Sequence, residues 1–161
     1  MNVLFLCTGN SARSILAEAI LDHDGAGRFA AFSAGSQPAG KVNPIALHTL
    51  AERGYPVEGY SSKSWNAFAA GPQFDLIVTV CDSAAAENCP VWPGQPISAH
   101  WGIPDPAAVT GSDEEKQAAF ALAFERMKRR IDLMLALPLD TLTPEALHAE
   151  LQAIGKQAQT A

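Results

Sequence analysis

With 161 residues, the chain is long enough for one domain whose hydrophobic core forms without disulfides or metals. Apolar residues make up 48% of it and charged residues 17%. Asp and Glu outnumber Lys and Arg by 17 to 11, and the resulting net charge of −6 argues against a nucleic-acid partner. This charge repels anions, so any anion site must be built locally.

The sequence carries no targeting or membrane signal. It begins with a short apolar run, too short for a signal peptide, and no apolar stretch is long enough to span a bilayer. We therefore expect a single domain over residues 1–161, located in the cytoplasm, with no membrane partner.

Hydrophobic patterning predicts strands that alternate with helices. Apolar runs predict strands at residues 3–6, 30–33, 76–80 and 97–100. Helices are predicted from a start within residues 11–14, from Pro44 to near Gly54, over residues 82–87, and from Ser112 and Thr143 onwards. The inward stripes of the last two helices are Phe120, Phe124, Met127, Ile131 and Leu135, then Leu147, Leu151 and Ile154.

This alternation is typical of an α/β fold with a parallel sheet covered on both faces. In such folds, ligands bind beyond the carboxyl ends of the strands. Three of the predicted strands end near Cys7, Cys81 and Trp101. We expect these residues to converge.

The loop between the first strand and the first helix has the composition of an oxyanion site. It reads Cys7-Thr8-Gly9-Asn10-Ser11-Ala12-Arg13-Ser14. Backbone N–H groups and the helix N-terminus can surround one oxyanion, and Arg13 can bind two of its oxygens. The same charges would favour a Cys7 thiolate and lower its pKa, with Ser14 as a further hydrogen-bond donor.

The alternative is a small buried cysteine at a strand end and an arginine on a helix surface. A cysteine and an arginine five residues apart often occur by chance. The strand before, the helix after and the Gly-Asn-Ser between them favour a nucleophile in an anion-binding loop.

The other two cysteines, Cys81 and Cys89, have two further interpretations. With Cys7 they are odd in number and widely spread, which is a poor disulfide framework. Either could be a small core residue, and no C-x2-C pair suggests a metal site. A redox role is favoured because the sheet should bring Cys81 near Cys7. If residues 81–89 were helical, their ends would lie about 12 Å apart, so a disulfide would require unwinding.

Asp105 is the candidate acid. It lies between two prolines that could aim its carboxylate at the loop, where it could protonate a leaving oxygen; the alternative is an ordinary turn aspartate. We interpret His100 as a partly buried polar residue. The run Lys128-Arg129-Arg130 is interpreted as the solvated face of a helix.

The loop resembles the signature of the low-molecular-weight protein tyrosine phosphatase superfamily. Cys81 and Cys89, with His100-Trp101-Gly102 and Asp105-Pro106, resemble its thioredoxin-coupled arsenate reductases, and the similarity spans nearly the whole chain. The resemblance implies a three-layer α/β/α fold with a four-stranded parallel sheet. It also implies that Cys7 attacks arsenate, that Arg13 and the loop amides stabilise the adduct, and that Asp105 assists the leaving hydroxide.

By the same resemblance, Cys81 attacks Cys7 and releases arsenite, then Cys89 attacks in turn. An external thiol reductant, thioredoxin or a similar donor, would reduce the final Cys81–Cys89 disulfide. No tightly bound cofactor or metal is expected. Some relatives bind potassium at positions matching Asn10, Glu18 and Ser33, but Ser64 stands where an acidic ligand would be, so no cation is predicted.

Two other functions compete with arsenate reduction. A phosphatase would hydrolyse phosphomonoesters through a Cys7 phosphoenzyme, using Arg13 and Asp105. Against it, Ala107 and Ala108 follow Asp105-Pro106, where phosphatases of this superfamily commonly place aromatic residues. An oxyanion-binding or redox-sensing module ranks third. We expect a monomer that binds arsenate, with phosphate or sulfate as analogues.

Overall fold

The computed structural model describes residues 1–81 and 96–158. Four strands form one parallel sheet: β1 (Asn2–Cys7), β2 (Ala30–Gly35), β3 (Leu76–Thr79) and β4 (Ile97–His100). Four helices accompany them: α1 (Arg13–Asp24), α2 (Pro44–Glu52), α3 (Asp113–Leu135) and α4 (Pro144–Ala158). Two short 3-10 helices lie at Trp65–Phe68 and Pro106–Ala108.

The strand order is β2-β1-β3-β4, so β1 and β3 are the central pair. In their register Leu6 lies opposite Thr79, and the Val80 N–H donates to the Leu6 carbonyl at 2.9 Å. The carboxyl ends of β1 and β3 are therefore level. This register places Cys7, the last residue of β1, and Cys81, two residues after β3, at the same edge of the sheet.

Alternate residues of β1 point to opposite faces, as the pleat requires. Val3 and Phe5 belong to the larger core cluster, which includes residues of all four helices. Leu4 and Leu6 belong to a smaller cluster, against which Phe32, Trp65 and Phe68 pack. The central strands β1 and β3 are buried on both faces, which explains why they read as continuous apolar runs.

The predicted strands and most predicted helices are present within a residue or two of their expected ends. Pro44 is the first residue of α2, and the Asn43 side chain accepts from the Ile45 N–H. The Ser112 side chain accepts from the Glu115 N–H at 3.2 Å, which confirms the predicted cap of α3. The helix predicted over residues 82–87 lies outside the described residues.

One prediction about α3 is wrong. Arg129 is exposed, but Arg130 is 1% exposed and belongs to the inward stripe. It lies three residues after Met127 and four before Met134, both of which are fully buried. Helical periodicity, rather than the run of like charges, decides which side chain enters the core.

No helix of the described ranges combines the length and the apolar character needed to cross a membrane. Across the same ranges, no three or more His, Cys, Asp or Glu side chains are grouped so that they could hold a metal ion.

Candidate active site

The oxyanion loop connects β1 to α1 and is fixed through its carbonyl groups. The Thr8 carbonyl accepts from the Gln37 N–H at 3.0 Å, and the Gly9 carbonyl from the Ala39 N–H at 2.9 Å. The Ser11 carbonyl accepts from the Asn43 N–H at 2.8 Å. Because N–H and C=O point in opposite directions across a trans peptide, outward carbonyls turn the following N–H groups inwards. The result is the concave arrangement of donors that an oxyanion needs.

Asn10 holds the bend of this loop. It has a φ of 47°, a left-handed conformation that asparagine tolerates better than most residues. Its buried amide donates to the Ser14 and Ser33 hydroxyls at 2.8 and 2.9 Å, and its oxygen accepts from the Lys63 N–H at 2.9 Å. The hydrogen bond that the structure gives to Ser14 is thus with Asn10, whereas the sequence suggested one with Cys7.

The Asn10 hydrogen bonds continue to a mostly buried carboxylate. The Ser33 hydroxyl donates a short hydrogen bond to Glu18. Burial raises the pKa of Glu18, while the Ser33 hydrogen bond and the charge of Lys63 oppose the rise. The three positions compared with potassium ligands, Asn10, Glu18 and Ser33, are therefore linked directly to one another. Lys63 could not be identified from the sequence, because its contacts with this cluster cross 45 to 53 positions of the chain.

Arg13 is the first residue of α1 and reaches back across the loop. One terminal nitrogen, Nη1, donates to the Ile103 carbonyl at 3.1 Å. The other, Nη2, lies 3.6 Å from Asp105 Oδ2. The Nε atom is buried and has no hydrogen-bond partner among the residues that the structure describes. A buried donor without a partner, on an arginine facing an anion-binding loop, is suited to binding an oxyanion.

Asp105 is brought to the loop by the segment that follows β4. Its Oδ1 accepts from the Ala107 N–H at 3.0 Å and caps the short helix at Pro106–Ala108. Its Oδ2 faces Arg13, and the side chain remains 40% exposed. One oxygen therefore fixes the carboxyl group while the other faces the position of a bound anion. The adjoining cavity, about 320 Å³, is lined partly by Ala107 and Val109.

Cys7 and Cys81 are both buried, and their side chains are in hydrogen-bond contact. A hydrogen bond with Cys81 and burial raise the pKa of Cys7, against the lowering effects of the Arg13 charge and the Gly9 N–H. The predicted lowering of this pKa is therefore wrong for the substrate-free protein. The expectation left out the effect of a second thiol and the cost of burying a thiolate. Cys89 lies outside the described residues.

Gly35 is a further residue that the sequence analysis overlooked. It pairs with Cys7 across the sheet, and a Cβ there would lie 2.9 Å from the Cys7 carbonyl oxygen and closer still to that of Thr8. Only glycine allows β2 to approach the oxyanion loop this closely. A signal for this residue was present in the sequence, since Ala34-Gly35 directly follows the strand predicted at residues 30–33.

His100 is half-buried, and its Nδ1 lies 2.8 Å from the Thr79 hydroxyl in a hydrogen bond, in agreement with its interpretation as a polar packing residue.

Comparison with known proteins supports this description of the fold. The family model of the low molecular weight phosphotyrosine protein phosphatases matches residues 2–152. The arsenate reductase of Halalkalibacterium halodurans is 36% identical over 129 residues, covering 80% of this chain and 91% of that relative. The arsenate reductase of Bacillus subtilis is 34% identical with the same coverage.

Solved structures agree. An arsenate reductase in the phosphate binding state has a TM-score of 0.63 and 30% identity, covering 81% of this chain and 96% of that one. A low molecular weight protein tyrosine phosphatase from T. tengcongensis shares the fold, with a TM-score of 0.66 and 22% identity over 82% of this chain and 95% of its own. The resemblance seen in the sequence is confirmed, and the chain belongs to the low molecular weight phosphotyrosine protein phosphatase family.

Proposed function

We propose that this protein is an arsenate reductase that uses Cys7 as its nucleophile and Cys81 and Cys89 as the remaining thiols of a relay. The contact between Cys7 and Cys81 carries the proposal. A phosphatase needs one cysteine at the oxyanion loop, whereas a reductase needs a second thiol able to reach the first. The similarity to curated arsenate reductases supports the same assignment.

In the first step, arsenate occupies the loop with its oxygens facing the inward N–H groups and Arg13. The Cys7 sulfur forms a bond to arsenic, and one arsenic–oxygen bond breaks. Asp105 is the group placed to protonate the departing oxygen, which leaves as water. The unpartnered Nε of Arg13 gains an acceptor when the anion binds.

In the second step, the Cys81 sulfur attacks Cys7. A Cys7–Cys81 disulfide forms, the sulfur–arsenic bond breaks, and its electron pair stays on arsenic, which leaves as arsenite. Thiol exchange requires the attacking sulfur to reach its target, and the two cysteines are already in contact beyond the ends of β1 and β3. Cys89 then attacks Cys81 and frees Cys7.

The Cys81–Cys89 disulfide must be reduced by an external thiol, and we propose thioredoxin or a similar donor for this role. No tightly bound cofactor is needed, because the cysteines carry the electrons. We further propose that the protein acts as a monomer in the cytoplasm, where a reducing environment maintains such a donor.

The deciding experiment is mass spectrometry after one equivalent of arsenate without reductant. The proposal predicts arsenite release and a Cys81–Cys89 disulfide in the wild type, and a Cys7–Cys81 disulfide in Cys89→Ser. A parallel assay with thioredoxin, its reductase and NADPH should show arsenate-dependent NADPH consumption. Free Cys81 and Cys89 after exposure to arsenate, with no arsenite released, would rule the relay out.

A phosphatase is the second candidate, since Cys7, Arg13 and Asp105 form a set that does not require Cys81. Transition states of phosphate and arsenate transfer both place negative charge on equatorial oxygens, so weak phosphatase activity would not separate the two. The separating variant is Cys81→Ala. If hydrolysis of an aryl phosphate is the main activity, it survives in this variant, and the wild type shows no arsenite release.

A further inference from the structure

Among the residues that the structure describes, Arg130 is the one charged residue whose side chain is fully buried. Its side chain enters the core from α3 beside Met127 and Met134. Within the described ranges it forms no ion pair. Instead, its Nη1 donates to the Arg126 carbonyl at 3.1 Å and its Nη2 to the Gly102 carbonyl at 3.2 Å. Its Nε has no hydrogen-bond partner among the described residues.

This arrangement costs folding free energy, which is unexpected for a residue whose role is only to stabilise the fold. A buried charge without a counter-charge loses its hydration and regains little in return. Burial lowers the pKa of Arg130, and the nearby charge of Arg126 lowers it further. An apolar side chain of similar volume would fill the same space without this cost.

The Gly102 carbonyl links Arg130 to the active site. The next carbonyl along the chain, that of Ile103, accepts from Arg13 at 3.1 Å. Two arginines from different helices thus bind consecutive carbonyls: Arg130 of α3 and Arg13 of the oxyanion loop. Two residues further on, Asp105 faces Arg13 at 3.6 Å.

Further hydrogen bonds hold the start of this segment. The Trp101 indole donates to the Leu151 carbonyl at 2.9 Å, and the Ile103 N–H donates to the Val80 carbonyl at 3.3 Å. Beyond these contacts, Pro104 is exposed and Asp105 is held by its own cap on Ala107. The hydrogen bond from the buried Arg130 side chain adds a contact that fixes the Gly102 peptide.

We infer that Arg130 is a positioning residue for the chemistry at the oxyanion loop. Its hydrogen bond to the Gly102 carbonyl constrains the backbone of residues 102–105. That backbone in turn positions the Ile103 carbonyl, which orients Arg13, and the Asp105 carboxylate. The inference rests on the proposed function in one respect: arsenite release is the reaction used to measure the effect of Arg130. Any transfer that uses Cys7, Arg13 and Asp105 requires the same positioning.

The test compares Arg130→Met with Arg130→Lys. Methionine fills the space without donating, whereas lysine retains a cationic donor. We expect Arg130→Met to fold with thermal stability equal to or above that of the wild type. Its single-turnover rate of arsenite release should fall at least tenfold, and Arg130→Lys should recover part of that loss. Combined with Asp105→Asn, Arg130→Met should cause less than additive further loss, because the part of its effect that passes through the Asp105 carboxylate is already gone.

Hydrogen exchange gives a readout that is independent of activity. Peptides covering residues 101–107 should exchange faster in Arg130→Met, while those of β1 and α1 should not change. A folded Arg130→Met with wild-type turnover, or with additive loss in the double variant and unchanged exchange at 101–107, would overturn the inference. If the wild type itself releases no arsenite, the proposed function fails, and the exchange result and aryl phosphate hydrolysis still decide the role of Arg130.

Discussion

The thiols of Cys7 and Cys81 are hydrogen-bonded to each other beyond the carboxyl ends of two adjacent parallel strands. This hydrogen bond is the largest cause of the raised pKa of Cys7. Burial acts in the same direction, while Arg13 and the Gly9 N–H act against both. The second thiol therefore suppresses the nucleophile in the resting protein and is also the group best placed to attack it.

Replacing Cys81 with alanine should lower the pKa of Cys7. The variant removes the largest cause of the rise and leaves the lowering effects of Arg13 and Gly9 in place. We expect iodoacetamide to alkylate Cys7 of the variant faster than Cys7 of the wild type at every pH between about pH 6 and pH 9, because more of it is thiolate. Peptide mass spectrometry follows the rate at Cys7. Cys89→Ala is the control, and equal rates in Cys81→Ala and the wild type would contradict the described contact.

Asp105→Asn should impair catalysis without unfolding the protein. Asparagine keeps a side-chain oxygen for the Ala107 N–H, so the cap is retained, but it cannot supply a proton to a departing oxygen. Turnover should fall by roughly 100-fold or more. Calorimetric binding of inorganic phosphate should remain, since Arg13 and the loop amides are untouched. Asp140→Asn, at an exposed position, is the matched control; equal activity of both variants would exclude Asp105 as the acid.

Gly35→Ala should distort the oxyanion loop, although Gly35 lies outside the Cys7–Ser14 segment. Its Cβ would press against the carbonyl oxygens of Thr8 and Cys7, both of them backbone atoms of the loop. We expect a loss of about 1–3 kcal/mol in the free energy of unfolding, together with weaker phosphate binding. Among the described residues, a Cβ at Gly9 would meet the Ser11 hydroxyl oxygen alone, at 3.7 Å, which is an ordinary contact. Gly9→Ala should therefore cost less than about 1 kcal/mol, and urea unfolding of both variants tests the contrast.

Glu18→Gln should change how stability depends on pH. Because burial raises the pKa of Glu18 above the reference value of 4.5, the folded state holds its proton more tightly than the unfolded state. The resulting stability is complete below pH 4.5 and is lost as the pH rises through the raised pKa. Glutamine can still accept from Ser33 but does not ionise, so it avoids this loss.

The measurement for Glu18 is the difference in unfolding free energy between Glu18→Gln and the wild type, taken at a series of pH values. The difference should move in favour of the variant as the pH rises above 4.5. A difference that stays constant with pH would show that Glu18 titrates alike in the folded and unfolded states.

The sequence alone was sufficient to predict the layout of the fold. Continuous apolar runs mark strands that are buried on both faces, and the 3.6-residue period marks the helices. Since parallel strands end at one edge, the alternation of strands and helices also predicted that the strand ends near Cys7, Cys81 and Trp101 would converge. These predictions depend on local patterns and on chain direction, both of which can be read from the residues.

Tertiary structure decided the features that depend on contacts between distant parts of the chain. The sequence could place Cys81 near Cys7, but only the contact shows that a second thiol and burial raise the Cys7 pKa against the effect of Arg13. Likewise, the charge of Arg130 suggested solvent, yet its helical phase takes it into the core to the Gly102 carbonyl. The oxyanion loop is a local property of its residues, whereas its proton affinity and the groups that hold it depend on what the fold packs against it.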